Sequence, residues 1–144
     1  MSLAAKLLFL AISAQVFLTM TILVLMARER VPRVMRGEIS MASIAVERDA
    51  YPLKARLLSN NFDNQFQLPV LFYVGALLAI LFQPGWPEVV LAWLFVAMRY
   101  GHAYIHVTHN RVGKRFMAFA AGLAILALFW LWLVLRLLIL APSI

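Results

Sequence analysis

Arg99-Tyr100-Gly101-His102-Ala103-Tyr104-Ile105-His106-Val107-Thr108-His109-Asn110-Arg111 writes polar side chains at helical spacing into an otherwise apolar chain. Ionisable groups at hydrocarbon depth cost a few kcal/mol each, about 2.5 to 3.5 for Arg on insertion scales, so a cluster of them marks a working or interior face. At about 100° per residue, Arg99, His102, His106 and Asn110 form one stripe, and Tyr100, Tyr104 and Arg111 form the stripe beside it. Such a helix needs a wet or partnered side. Snorkelling of Arg111 and an interfacial belt of tyrosines would account for isolated residues, but not for two continuous stripes.

The rest of the chain sets that stretch in a membrane. A hydrophobic content of 65% with only 13% charged residues, in 144 residues, is too apolar for a soluble domain. The net charge of +7 would suggest nucleic acid in a soluble protein. Here the cations gather in two loops, the pattern that orients a membrane protein, and no nucleic-acid partner is expected. The sequence contains no cysteine, so any thiol chemistry must arrive with a substrate.

Four spans are expected, at roughly residues 3–27, 57–82, 89–108 and 116–140, in a single domain over 1–144. The first run is too long for a signal peptide and ends in arginines, which reads as a retained anchor. Pro32 disfavours helix through Val31, with Gly37 and Pro52 as later breakers, and Ile39 to Arg48 is compatible with a short interfacial helix. In the second span, Arg56, Asn60, Asp63 and Gln67 follow at steps of four, three and four, so they share a face that should point into the protein; a capped, solvated helix start leaves that shared face unexplained. Pro69 should kink this span or free the carbonyl of Gln65. Gln83 to Glu88 is a tight turn without Lys or Arg, and His109 to Arg115 is a basic loop with Gly113 as a break.

Cation counting gives the orientation. Arg28 to Arg56 holds seven Lys or Arg, and Arg111, Lys114 and Arg115 follow the third span, while Lys6 and Arg136 lie on the other side. Both basic loops should therefore face the cytoplasm and both termini the opposite side.

The layout of four spans in about 150 residues, with these two motifs, resembles the MAPEG superfamily, the membrane-associated proteins of eicosanoid and glutathione metabolism, in its bacterial-type members. Arg99, Tyr100, Tyr104 and Arg111 meet the family pattern of the third span without a gap, whereas His106 stands in place of a family arginine. Arg56, Asn60 and Asp63 are similar to the family's Arg, Asn and Glu in the second span, with Asp for Glu. A second register, on Asn64-Gln65-Phe66-Gln67-Leu68-Pro69, puts Gln67 where the Glu stands.

The resemblance implies an all-α four-helix membrane bundle assembled as a homotrimer, with sites between subunits, in a bacterial inner membrane. It implies glutathione as co-substrate of a transferase or peroxidase acting on lipophilic electrophiles. Arg111 would stabilise the thiolate, with Arg56, Asn60, Asp63, Gln67, Arg99, Tyr100 and Tyr104 as binding residues. The alternative is a non-catalytic scaffold or membrane subunit that holds a lipid or an anion in its basic pocket. A proton-coupled exporter would need an embedded carboxylate, which the first span lacks. His102, His106 and His109 have spacing compatible with a metal, but no Cys or carboxylate completes the set, and no metal is expected.

Overall fold

A computed structural model describes residues 1–140, so the last four positions of the expected 1–144 domain lie outside the described residues. Five α-helices follow in order: α1 (Leu3–Met35), α2 (Leu53–Asn64), α3 (Leu68–Leu81), α4 (Trp86–Thr108) and α5 (Val112–Leu135), the last continued by a π-helical turn at Arg136–Leu140. Because α2 and α3 form one interrupted rod, the chain is an up-and-down bundle of four rods. Three stretches are long and apolar enough to cross a membrane, Leu3–Met35, Leu53–Leu81 and Val112–Leu138. The remaining rod, α4, has 23 residues, enough for about 34 Å of rise. Its mean hydropathy is lowered by the polar stripes.

The end that holds the Gln83 turn is dry. Leu8 and Ala11 of α1, Phe72, Ala76 and Ala79 of α3, Phe95 of α4 and Phe129 of α5 are buried together there. The Phe72 and Phe95 rings lie 4.8 Å apart. Gly75 lets α3 approach α5 closely, since a Cβ at this position would lie 2.8 Å from Cε1 of Phe129. The same end is closed by charge. Buried Glu88 pairs with Arg136, which also donates to the carbonyls of Phe82 and Gln83, while the Gly85 amide donates to Glu88 at 3.0 Å. The Arg136 side therefore caps the C-terminus of α3, where free carbonyls favour a cation.

Several local expectations are corrected. Pro32 does not stop α1, which runs on to Met35. So close to the helix end proline removes only the bond to the Arg28 carbonyl, and the turn is held by Arg33 Nε on the Glu29 carbonyl at 3.1 Å. The stop comes at Gly37, whose φ of +72° allows the Gly37 and Glu38 amides to fold back on the carbonyls of Val34 and Arg33. The Ile39–Arg48 stretch contains only a 3₁₀ turn, Ala42–Ile44. There Ser40 Oγ accepts from the Ser43 amide and the Ser43 hydroxyl donates to the Ser40 carbonyl, local bonds that compete with helix.

Pro69 does more than kink the second rod. It occupies the first turn of α3, where its missing N–H costs nothing, and the rod is interrupted between Asn64 and Leu68. Gly113 lies inside α5 rather than breaking it. The chain turns instead at Asn110, in the left-handed region at φ 42°, a conformation Asn tolerates better than most residues.

Candidate functional site

The half of the bundle facing the basic loops holds most of the buried polar side chains. At the interruption of the second rod, Gln15 of α1 donates to Gln65 at 3.0 Å. Gln65 donates to Asn61 Oδ1 at 3.1 Å and to the Asn61 carbonyl at 3.2 Å, and Asn61 donates to the Ala103 carbonyl at 3.1 Å. All three amides are buried. Arg99, only 1% exposed, donates from Nη2 to the Asn64 carbonyl at 2.9 Å. A guanidinium thus caps the broken C-terminus of α2, where the dipole and free carbonyls attract a cation. Within the described residues it has no carboxylate partner, and its Nε and Nη1 are unpaired.

The two stripes of α4 separate in space. Arg99, His102 and His106 turn into the bundle and are buried, while Tyr100, Tyr104 and Arg111 are exposed. His102 donates from Nδ1 to the Arg115 carbonyl at 3.1 Å, its Nε2 has no partner, and the His106 ring stands edge-on to it at 5.8 Å.

Two separate polar cavities result. The first, about 480 Å³, lies between α2, α4 and α5 and brings Asn60, Asp63 and Gln67 together with His102, His106 and Arg115. Phe116 and Phe119 form its apolar wall. Asp63 at its rim is held by Arg48 at 2.6 Å, and that hydrogen bond raises the Arg48 guanidinium above its ordinary range, so the loop cation stays charged. The second cavity, about 370 Å³, gathers Tyr104, His109, Arg111 and Lys114 where α4 passes into α5. Tyr104 also lines an apolar groove of about 270 Å³ between α1 and α4, with Phe17, Thr21 and Leu25.

The residues singled out in the sequence are therefore distributed. Asn60, Asp63 and Gln67 share the first cavity, and Tyr104 and Arg111 share the second. Arg56 stands apart, 3.6 Å from Asp49, and Tyr100 donates to the Ala14 carbonyl at 2.7 Å. Arg99 lines neither cavity. Within one chain the α2 face of Arg56, Asn60, Asp63 and Gln67 is not buried; the inward positions of that rod are Ala55, Leu58, Asn61 and Gln65. The sequence reading missed Arg115, Lys114 and the Gln15–Gln65–Asn61 chain. A single amide such as Gln15 in an apolar span was the available signal, because a buried amide needs a partner. Among the described residues no three His, Asp or Glu side chains are gathered as a metal would require.

Neither the curated proteins nor the solved structures compared with this chain give a match. The sequence model of the MAPEG family does match, over residues 8–136, and the chain belongs to that family. Its fold is accordingly a four-helix membrane bundle, and the protein is an integral multi-pass membrane protein. Members of the family typically use glutathione and form trimers in membranes.

Proposed function

We propose that this MAPEG member is a glutathione-dependent transferase or peroxidase acting on lipophilic electrophiles, with Arg111 stabilising the thiolate. The observation that carries this reading is the position of Tyr104, which lines both the cationic cavity of Arg111 and Lys114 and the apolar groove between α1 and α4. A polar tripeptide and a lipophile can meet there, the second arriving from the bilayer. A guanidinium beside sulfur favours thiolate over thiol, as cations do for low-pKa thiols generally.

The two polar cavities share no lining residue within one chain, and a second copy would join them. In a trimer the Tyr100, Tyr104 and Arg111 face of one copy would meet the Arg56, Asn60, Asp63 and Gln67 face of the next. The amides and Asp63 would then bind the peptide's amine and backbone, and Arg56 a carboxylate. Arg99 would act from behind, holding the interruption that presents Gln67.

The test is calorimetric titration of the purified oligomer with glutathione, together with conjugation assays on an aryl halide, an enone and an epoxide. Saturable binding and turnover are expected, with a trimeric mass for the same preparation. No binding and no turnover would leave the scaffold reading, with a lipid or anion in the basic cavities. Orientation is tested separately. Reporters in the Gln83–Glu88 turn and at the C-terminus should be non-cytoplasmic and one at Gly37 cytoplasmic; a cytoplasmic C-terminal reporter would reverse the assignment.

A further inference from the structure

Arg111 can stabilise a thiolate but cannot receive the proton that leaves the thiol, because a guanidinium remains protonated at any working pH. Lys114 is an ammonium with no lone pair to offer, and the Tyr104 phenol is a donor under the same conditions. Of the side chains lining that cavity only an imidazole ordinarily exchanges a proton near neutral pH, and the imidazole there is His109.

We infer that His109 is the acid–base residue of the Arg111 site: it takes the thiol proton and returns it to the adduct. The inference rests on the glutathione reading above. α4 ends at Thr108, and His109 closes it, its amide bonded to the Ile105 carbonyl. The left-handed turn at Asn110 then brings Arg111 back to the same cavity. The Tyr104 ring stands edge-on to the imidazole at 6.4 Å and 85°. The other histidines are placed differently. His102 and His106 are 3% and 2% exposed and belong to the opposite cavity, whereas His109 is open to its own. The titratable and charged groups around it are Tyr104 on α4, Arg111 in the connection and Lys114 on α5.

The step balances without a further reactant. The S–H bond breaks with the electron pair left on sulfur and the proton on the imidazole. The thiolate forms a C–S bond at the electrophilic carbon of an enone or epoxide, displacing a pair onto oxygen or into an enolate. The imidazolium protonates that site and is neutral again. A displaced halide needs no proton, so there the imidazolium releases its proton to water; His109 serves additions and ring openings in both halves of the reaction and halide displacement only in the first.

The experiment compares the full-length wild-type oligomer with His109→Asn and His109→Gln. Expected are near-wild-type glutathione affinity, a kcat lower by roughly 10²-fold on an epoxide, within the range for general acid–base catalysis, and a smaller loss on an aryl halide. A neutral imidazole is the working base, so wild-type activity should fall on acidification, and that limb should disappear in both variants. The ultraviolet thiolate band of bound glutathione at neutral pH should weaken, and added imidazole should restore turnover. Variants that keep the wild-type pH profile and thiolate band overturn the inference, as does an equal loss at every pH without rescue by imidazole. Failure of the wild type to bind glutathione overturns the underlying reading, and this one with it.

Discussion

The two halves of the bundle use buried charge in opposite ways. At the Gln83 turn, Glu88 and Arg136 neutralise each other and Nη2 of Arg136 donates to two backbone carbonyls. Towards the basic loops, Arg99 keeps two unpaired nitrogens, and beside the first cavity the buried imidazole of His106 keeps two and that of His102 one. A saturated charge adds fixed geometry, whereas an unsaturated one is a site for binding or proton movement. The dry half is thus a clamp, and the polar half holds the unpaired groups and the cavities on which the proposed chemistry rests.

Removing the clamp should have the largest effect. Glu88→Ala leaves Arg136, 21% exposed, without its counter-ion and should lower stability by about 3 kcal/mol, the low end for breaking a buried pair. Thermal unfolding in lipid nanodiscs reads this, and an unchanged transition would show that the two halves do not differ in the way described. Arg111→Ala should instead leave the transition and the oligomer intact and lower turnover by roughly 10²-fold, the scale for one preorganised electrostatic donor. Arg111→Lys should recover part of the loss. Full recovery by Lys would reduce Arg111 to a surface anchor.

A smaller effect is expected in the dry half from Gly75→Ala. Its Cβ would stand 2.8 Å from the Phe129 ring, so α3 and α5 must separate, at a cost of about 1 to 3 kcal/mol for overpacking. Activity per folded protein should hardly change. The smallest stability effect belongs to Asp63→Asn at the rim of the first cavity. The Arg48–Asp63 pair is 41% and 49% exposed and should contribute no more than about 1 kcal/mol. Glutathione affinity should nonetheless weaken measurably in the same protein. Retained affinity would remove Asp63 from the site.

Much of this division was legible in residue spacing. The two stripes of α4 fell out of helical periodicity, and the structure sends one inward and leaves the other exposed. The tight turn was legible from Gln83, Pro84 and Gly85. The helix ends were read less well, because proline and glycine act on local backbone preference while the ends were decided by side-chain and backbone partners. Pro32 is carried by Arg33 and Glu29, and Gly113 is helical because Asn110 already made the turn. On the second rod, periodicity found the face of Asn60, Asp63 and Gln67 but assigned it to the interior. The interior belongs to Asn61 and Gln65, whose amides have Ala103 and Gln15 to bond with.

By itself the sequence determined the solvent, the four-rod layout and the family, since these follow from apolar length, breaker residues and motif spacing along one chain. The tertiary structure alone decided which polar groups are paired. Gln15 lies 50 residues from Gln65 and Glu88 lies 48 from Arg136, and spacing along a chain carries no information about partners that distant. It also decided that Arg99 caps a broken helix and that His109 shares a cavity with Arg111, because a cavity exists only once separate helices have taken their places around it.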